Sequence, residues 1–183
     1  TLTNSTVSGN TANYGGGIFN HGGTLTLTNS TVSRNTADYF GGGIFNHNNG
    51  TLTLTNSTVS GNTANYGGGI LNYLGTLTLT NSTVSGNTAN YDGGGIYNSG
   101  TLTLTNSTVS GNTAGDDGGG VYVDSGTVNL SFSTLTDNQT TGTGSAGGGI
   151  YINSGTVQLK GVILAGNTSA SGSGPECSGS LTS

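Results

Sequence analysis

Residues 51–70 read TLTLTNSTVSGNTANYGGGI, and near copies start at Thr24, Thr76 and Thr101. Within Thr51–Thr55 the leucines alternate with threonines. That is the period of a strand, whose side chains point to opposite faces in turn, and not of a helix. The first strand of the unit recurs at Thr24, Thr51, Thr76, Thr101, Thr127 and Thr156, at intervals of 27, 25, 25, 26 and 29 residues. A Gly-Gly-Gly landmark keeps the same period from Gly15, Gly41, Gly67, Gly93, Gly118 and Gly147. An incomplete copy precedes Thr24, so the chain holds seven partial or whole units.

Three short strands are expected per unit, at Thr51–Thr55, Thr58–Asn62 and Gly68–Asn72, with Gly, Asn and Ser between them. Three strands in one short repeat, kept in register, predict an all-β parallel solenoid in which each unit winds once around a common axis. A strand then hydrogen-bonds to its own copy in the next coil, roughly 4.8 Å away. One domain is expected over 1–183, with an irregular tail at 168–183. The chain opens in mid-repeat on Thr1, as a piece of something longer would.

The columns follow from alternation. Leu52 and Leu54 must face inward, with Val59 from the second strand and Ile70 from the third. Asn10, Asn35, Asn62, Asn87, Asn112, Asn138 and Asn167 form an unbroken column. Stacked amides donate and accept along the axis, so a structural ladder is expected there. A second column runs Asn20, Asn46, Asn72 and Asn98, then Val123 and Ile152; its apolar members place it inside. A third, Asn4, Asn29, Asn56, Asn81 and Asn106, reads as a turn because asparagine tolerates left-handed backbone. Phe132 in that column does not fit the reading.

Glycine makes up 37 of 183 residues and charged residues only 5%. Such a composition often means disorder, but disordered tracts do not hold apolar residues in register. The net charge is −5, with Arg34 and Lys160 the only Lys or Arg. Nucleic acid is excluded as a partner, since phosphates need several cations to neutralise them. No apolar run is long enough to span a bilayer as a helix. Cys177 is alone and so forms no internal disulfide.

The Val-x-x-Asn of Val59–Asn62 and the Gly-Gly-Gly-Ile of Gly67–Ile70 resemble the repeats of polymorphic outer membrane proteins, which carry Phe-x-x-Asn and Gly-Gly-Ala-Ile. More broadly the chain resembles bacterial right-handed parallel β-helix proteins of pectin-lyase-like architecture. The stretch Val162–Ser183 resembles the end of the helix in large bacterial surface proteins with a downstream anchor. The resemblance implies a secreted or outer-surface protein, often adhesive, located outside the cell or on the bacterial outer surface.

Many β-helices of this architecture cleave acidic polysaccharides, which needs paired carboxylates or a calcium-binding acidic cluster. Here the acids are Asp38, Asp92, Asp116, Asp117, Asp124, Asp137 and Glu176, mostly single and in turns. No catalytic residue, metal site or cofactor is expected, and polysaccharide binding or cleavage stands as a distant alternative.

Two outward arrays remain. Phe19, Phe45, Leu71, Tyr97, Tyr122 and Tyr151 each follow an inward Ile or Val, so alternation turns them outward. An exposed apolar stripe implies a partner: a host-cell surface, a glycan or the chain itself. The second array is threonine: Thr24, Thr26 and Thr28, then Thr51, Thr53 and Thr55, then Thr76, Thr78 and Thr80, then Thr101, Thr103 and Thr105. It resembles the threonine arrays of ice-binding β-solenoids. The expected function is therefore a non-catalytic surface rod, an adhesin or structural stalk, with ice binding as the alternative. Both rod ends leave strand edges unpaired, so end-to-end association is also expected.

Overall fold

The structure, a computed structural model, describes residues 1–180. Among these every strand pairs in parallel, in one sheet of twelve strands and two of seven. The chain is a β-solenoid of about seven coils with no helix among the described residues.

One coil shows how the sequence builds it. Ile70–Thr80 runs through the large sheet, Thr83–Ser85 forms the second and Thr88–Ala89 the third, after which a loop returns the chain to Ile96. Pairing is like on like: Leu77 lies beside Leu52 and Leu102, Val84 beside Val59 and Val109, and Ala89 beside Ala64 and Ala114. The buried leucines, valines and isoleucines of all coils form one continuous core. A single coil buries too little apolar surface to offset the entropy of ordering its chain, so stability comes from stacking.

The division into strands differs from the expected one in two places. The stretch 58–62 is not one strand. It ends at Ser60, where Gly61 takes φ 62°, and a separate strand, Thr63–Ala64, begins after the buried Asn62. That strand opens the third sheet, whose inward column of Ala37, Ala64, Ala89 and Ala114 is buried. Conversely, the strand expected at 68–72 starts at Ile70. In this coil it runs on through a bulge at Tyr73–Thr76 into the leucine strand, so both belong to one sheet. The stretch 168–183, expected to be irregular, carries two short strands. Thr168–Ser169 and Cys177–Ser178 pair with the preceding coil, while 181–183 lies outside the described residues.

Turn chemistry repeats as faithfully as the core. Asn4, Asn29, Asn56, Asn81 and Asn106 all have φ between 49° and 51°, and Phe132 sits in the same column at 50°. Its side chain is 59% exposed, with the Lys160 ammonium 5.7 Å from the ring centre. Next to each turn lies a buried serine. The Ser57 hydroxyl donates to the Thr55 carbonyl at 2.8 Å and accepts from the Ser30 N–H at 3.1 Å, and Ser82 and Ser107 repeat the pattern.

Inside the corner between the second and third sheets runs the longest side-chain ladder. Each amide from Asn10 to Asn138 donates to the carbonyl oxygen of the next asparagine, at 2.8–3.0 Å, ending at Asn167. The same oxygens accept a backbone N–H of the preceding coil, as Asn87 does from Asn62 at 3.0 Å. Asn20, Asn46, Asn72 and Asn98 form a shorter ladder at 2.7–2.8 Å, and Val123 and Ile152 continue its column as buried apolar groups. No described helix is long and apolar enough to cross a membrane.

Candidate functional site: a ladder of rings and an aromatic cleft

Phe19, Phe45, Leu71, Tyr97, Tyr122 and Tyr151 occupy one in-register column of the large sheet. They point away from the core because their neighbours along the strand, such as Ile70 and Asn72, are fully buried within it. Parallel pairing places each side chain above its counterpart, so planar rings stack. Phe19 and Phe45 lie 5.0 Å apart with planes 6° from parallel. Tyr97, Tyr122 and Tyr151 follow at 4.9 and 5.3 Å.

Two further columns flank the ladder, and they change its exposure. Tyr14, Tyr39 and Phe40, at the ends of third-sheet strands, contribute one together with Tyr66 and Tyr91 after the corresponding strands of later coils, and Tyr66 and Tyr91 stack at 5.1 Å. On the other side His21, His47 and Tyr73 form another. The His21 and His47 Nδ1 atoms lie 3.0 Å apart, and the His47 and Tyr73 rings stack at 5.5 Å. Burial pushes the His47 pKa down, and the neighbouring His21 adds to the effect.

The expected continuous exposed stripe is therefore corrected. Phe19 is 48% exposed, but Phe45 retains 5% and Leu71 only 3%. Phe45 disappears beneath Phe40, whose ring crosses it at 5.8 Å, and beneath His47 at 5.2 Å. Tyr97, Tyr122 and Tyr151 are half-buried. Tyr14, Tyr39, Tyr73 and Tyr91, which lie in the flanking columns, are exposed instead.

Where the ladder passes Leu71 it opens into a cleft of about 550 Å³, bounded by Phe40, Phe45, Tyr66, Tyr73 and Tyr97. Asp92 reaches its edge from the next loop. The Asp92 carboxylate accepts the Asp117 N–H at 3.0 Å, and Asp117 in turn accepts the Ala146 N–H at 2.7 Å. Two of the acids are thus rungs of a small backbone-capping ladder. Burial pushes the Asp92 carboxyl up to about 6; the Asp117 N–H opposes this, while Asp117, Asp116 and Asp124 reinforce it. Burial also raises Tyr97 and Tyr122, with nearby carboxylates adding to it.

Every threonine of the expected array points out of the large sheet, and the four rows are in register. Their hydroxyls have no hydrogen-bond partner among the described residues. Cys177 is half-buried beside Ile150, and burial raises its thiol pKa.

Two stretches, 81–99 and 106–124, match the family profile of the Chlamydia polymorphic membrane protein repeat. Each begins at an asparagine turn, crosses Val84–Asn87 or Val109–Asn112, and ends just past the triple glycine. No curated protein and no solved structure matches the chain. The matched family is one of bacterial surface or outer-membrane proteins. Two stretches of the chain are thus similar to that repeat, and both lie within a parallel β-solenoid of about seven coils.

Proposed function

We propose that this solenoid is a non-catalytic rod displayed outside the bacterial cell, and that its ladder of rings is an adhesive face. The observation that carries this reading is the run Tyr97–Tyr122–Tyr151. Three half-exposed rings stack at about 5 Å on paired parallel strands. Stacked phenols offer flat apolar area with polar edges and lose little rotamer entropy on contact. The partner surface is that of a host cell, through its proteins or glycans, or another copy of the rod.

The acids support the non-catalytic part of the reading. Asp92 and Asp117 accept backbone N–H groups and Glu176 accepts from Asn167, so these three acids bond to neighbouring coils, which is a structural use for them. The test is the triple variant Tyr97→Ser, Tyr122→Ser, Tyr151→Ser, compared with the parent for binding to cells, glycan arrays and itself. Adhesion should disappear while the rod stays folded; undiminished binding in all three assays would remove the aromatic face from consideration.

The threonine lattice favours a second reading, ice binding. Twelve outward threonines in four registered rows carry hydroxyls that are free to meet ordered water. Thermal hysteresis of the purified rod decides it, and none at millimolar protein ends it.

A further inference from the structure

The ring ladder lacks one rung. Leu71 lies in register between Phe45 and Tyr97, so those two rings are separated by two coil spacings, roughly 10 Å. Elsewhere a ring fills the intervening position, and neighbours stack at 4.9–5.3 Å. Leucine is too short to do so. A cleft of about 550 Å³ opens at this point of the ladder, within the usual size range of small-ligand sites.

Its walls meet at steep angles. Phe40 and Phe45 cross at 61°, and Tyr66 and Tyr97 at 88°. His47 and Tyr73 line the cleft from a third side. A cavity bounded in this way presents ring surfaces from several directions, and ring faces carry negative potential. The one carboxylate that lines it, Asp92, has the same sign, and Asp116, Asp117 and Asp124 lie close enough to act on it. The chain has only two fixed cations, Arg34 and Lys160, neither of which lines the cleft.

Rings on several sides with a carboxylate at the edge select a cation. A primary ammonium carries three N–H donors that each need an acceptor, and it gives up its water reluctantly. These walls are mostly ring surfaces and a leucine side chain, with acceptors only at Asp92, His47 and the phenol oxygens. They suit a cation whose surface is methyl groups and which makes no hydrogen bonds. We propose that the cleft over Leu71 binds a quaternary ammonium group of the trimethylammonium class. Leu71 forms the floor, the rings of Phe40, Tyr66, Tyr73 and Tyr97 surround the cation, and Asp92 supplies the countercharge. The inference does not depend on adhesion, because it is read with free small molecules.

The experiment titrates the folded rod with choline and, separately, with its neutral carbon isostere 3,3-dimethylbutan-1-ol, following the tyrosine resonances. Choline should bind saturably and about tenfold more tightly than the isostere. Leu71→Tyr supplies the missing ring, as in the three following coils, and should abolish choline binding without lowering the unfolding transition. Asp92→Asn should weaken choline several-fold and leave the isostere unchanged. Vesicles of phosphatidylcholine and a trimethyllysine peptide then identify the source, and binding to either supports the site. Equal affinity for choline and the isostere overturns the proposal, as does choline binding that survives Leu71→Tyr. Saturable binding of a methyl hexopyranoside without choline binding also overturns it and makes the cleft a sugar site.

Discussion

Asn167 donates its side-chain N–H to the Glu176 carboxylate over 2.6 Å, so the asparagine ladder ends on a charge. The ladder is directional. Each amide points one N–H toward the C-terminal coil, and the last one needs an acceptor that none of the ladder's asparagines provides. Its other bond, to the Leu135 carbonyl at 3.0 Å, leaves one N–H for Glu176. Glu176 lies between two residues whose backbone is bound to the same coil: Pro175 accepts from the Gly149 N–H, and Cys177 pairs with Ile150.

The ladder should be most sensitive at its centre. Asn87→Ala removes two bonds accepted from Asn62, at 2.9 and 3.0 Å, and two donated, to Asn112 and Val59. All of these groups are buried, so orphaned donors keep their full desolvation cost. A loss of about 3–5 kcal/mol is expected in denaturant unfolding. Asn10→Ala at the exposed end should cost about 1 kcal/mol or less. Glu176→Ala should leave the core intact and speed amide exchange around Gly149 and Ile150. Equal effects of the two asparagine variants would refute a cooperative ladder.

Two glycines separate backbone conformation from close approach. Gly86 has φ 61° and nothing within 4 Å of where a Cβ would lie, so Gly86→Ala carries only the left-handed strain of roughly 1–2 kcal/mol. A Cβ on Gly94 collides with the carbonyls of Gly119 and Thr113 in the next coil. Backbone cannot move aside there without breaking the stack, so Gly94→Ala should cost about 3 kcal/mol or more. Thermal unfolding of the two variants side by side gives the comparison.

Asp92 makes stability depend on pH. Its folded pKa of about 6 stands above the 3.8 of the free carboxyl, so the folded rod favours the protonated form. The resulting penalty is absent below pH 4, grows between about 4 and 6, and is complete above 6. Asp117, also raised, acts in the same direction, while His47, lowered, destabilises the rod as pH falls below 6.5. The Asp92→Asn variant isolates the first effect. Its side-chain oxygen still accepts the Asp117 N–H, and solvent screening reduces the gain to about 1 kcal/mol at pH 8, falling to zero by pH 4. A pH-independent difference from the parent would contradict the assignment.

Much of the site was legible in the columns of the repeat, and the gaps have identifiable causes. Phe132 looked out of place in an asparagine turn, yet it adopts φ 50° like its neighbours, because the position constrains the backbone and leaves the side chain in solvent. The alanine column and its sheet were not apparent, since its strands at Ala64, Ala89 and Ala114 have two residues each and no alternation to display. The serine ladder was hidden for a related reason: its buried Ser57, Ser82 and Ser107 sit inside triplets that read as polar turns.

The sequence by itself determined the winding, the inward leucines and valines, and which residues share a column, because period-two alternation and a fixed repeat leave one way to bury them. Only the tertiary structure decided what lies over each column. Alternation says on which side of a strand Phe45 and Leu71 emerge, but the strand end carrying Phe40 and the loops carrying Tyr66 and Asp92 decide whether that side meets water. Those loops vary in length from coil to coil, and where their rings land is a matter of packing between segments that no local pattern encodes.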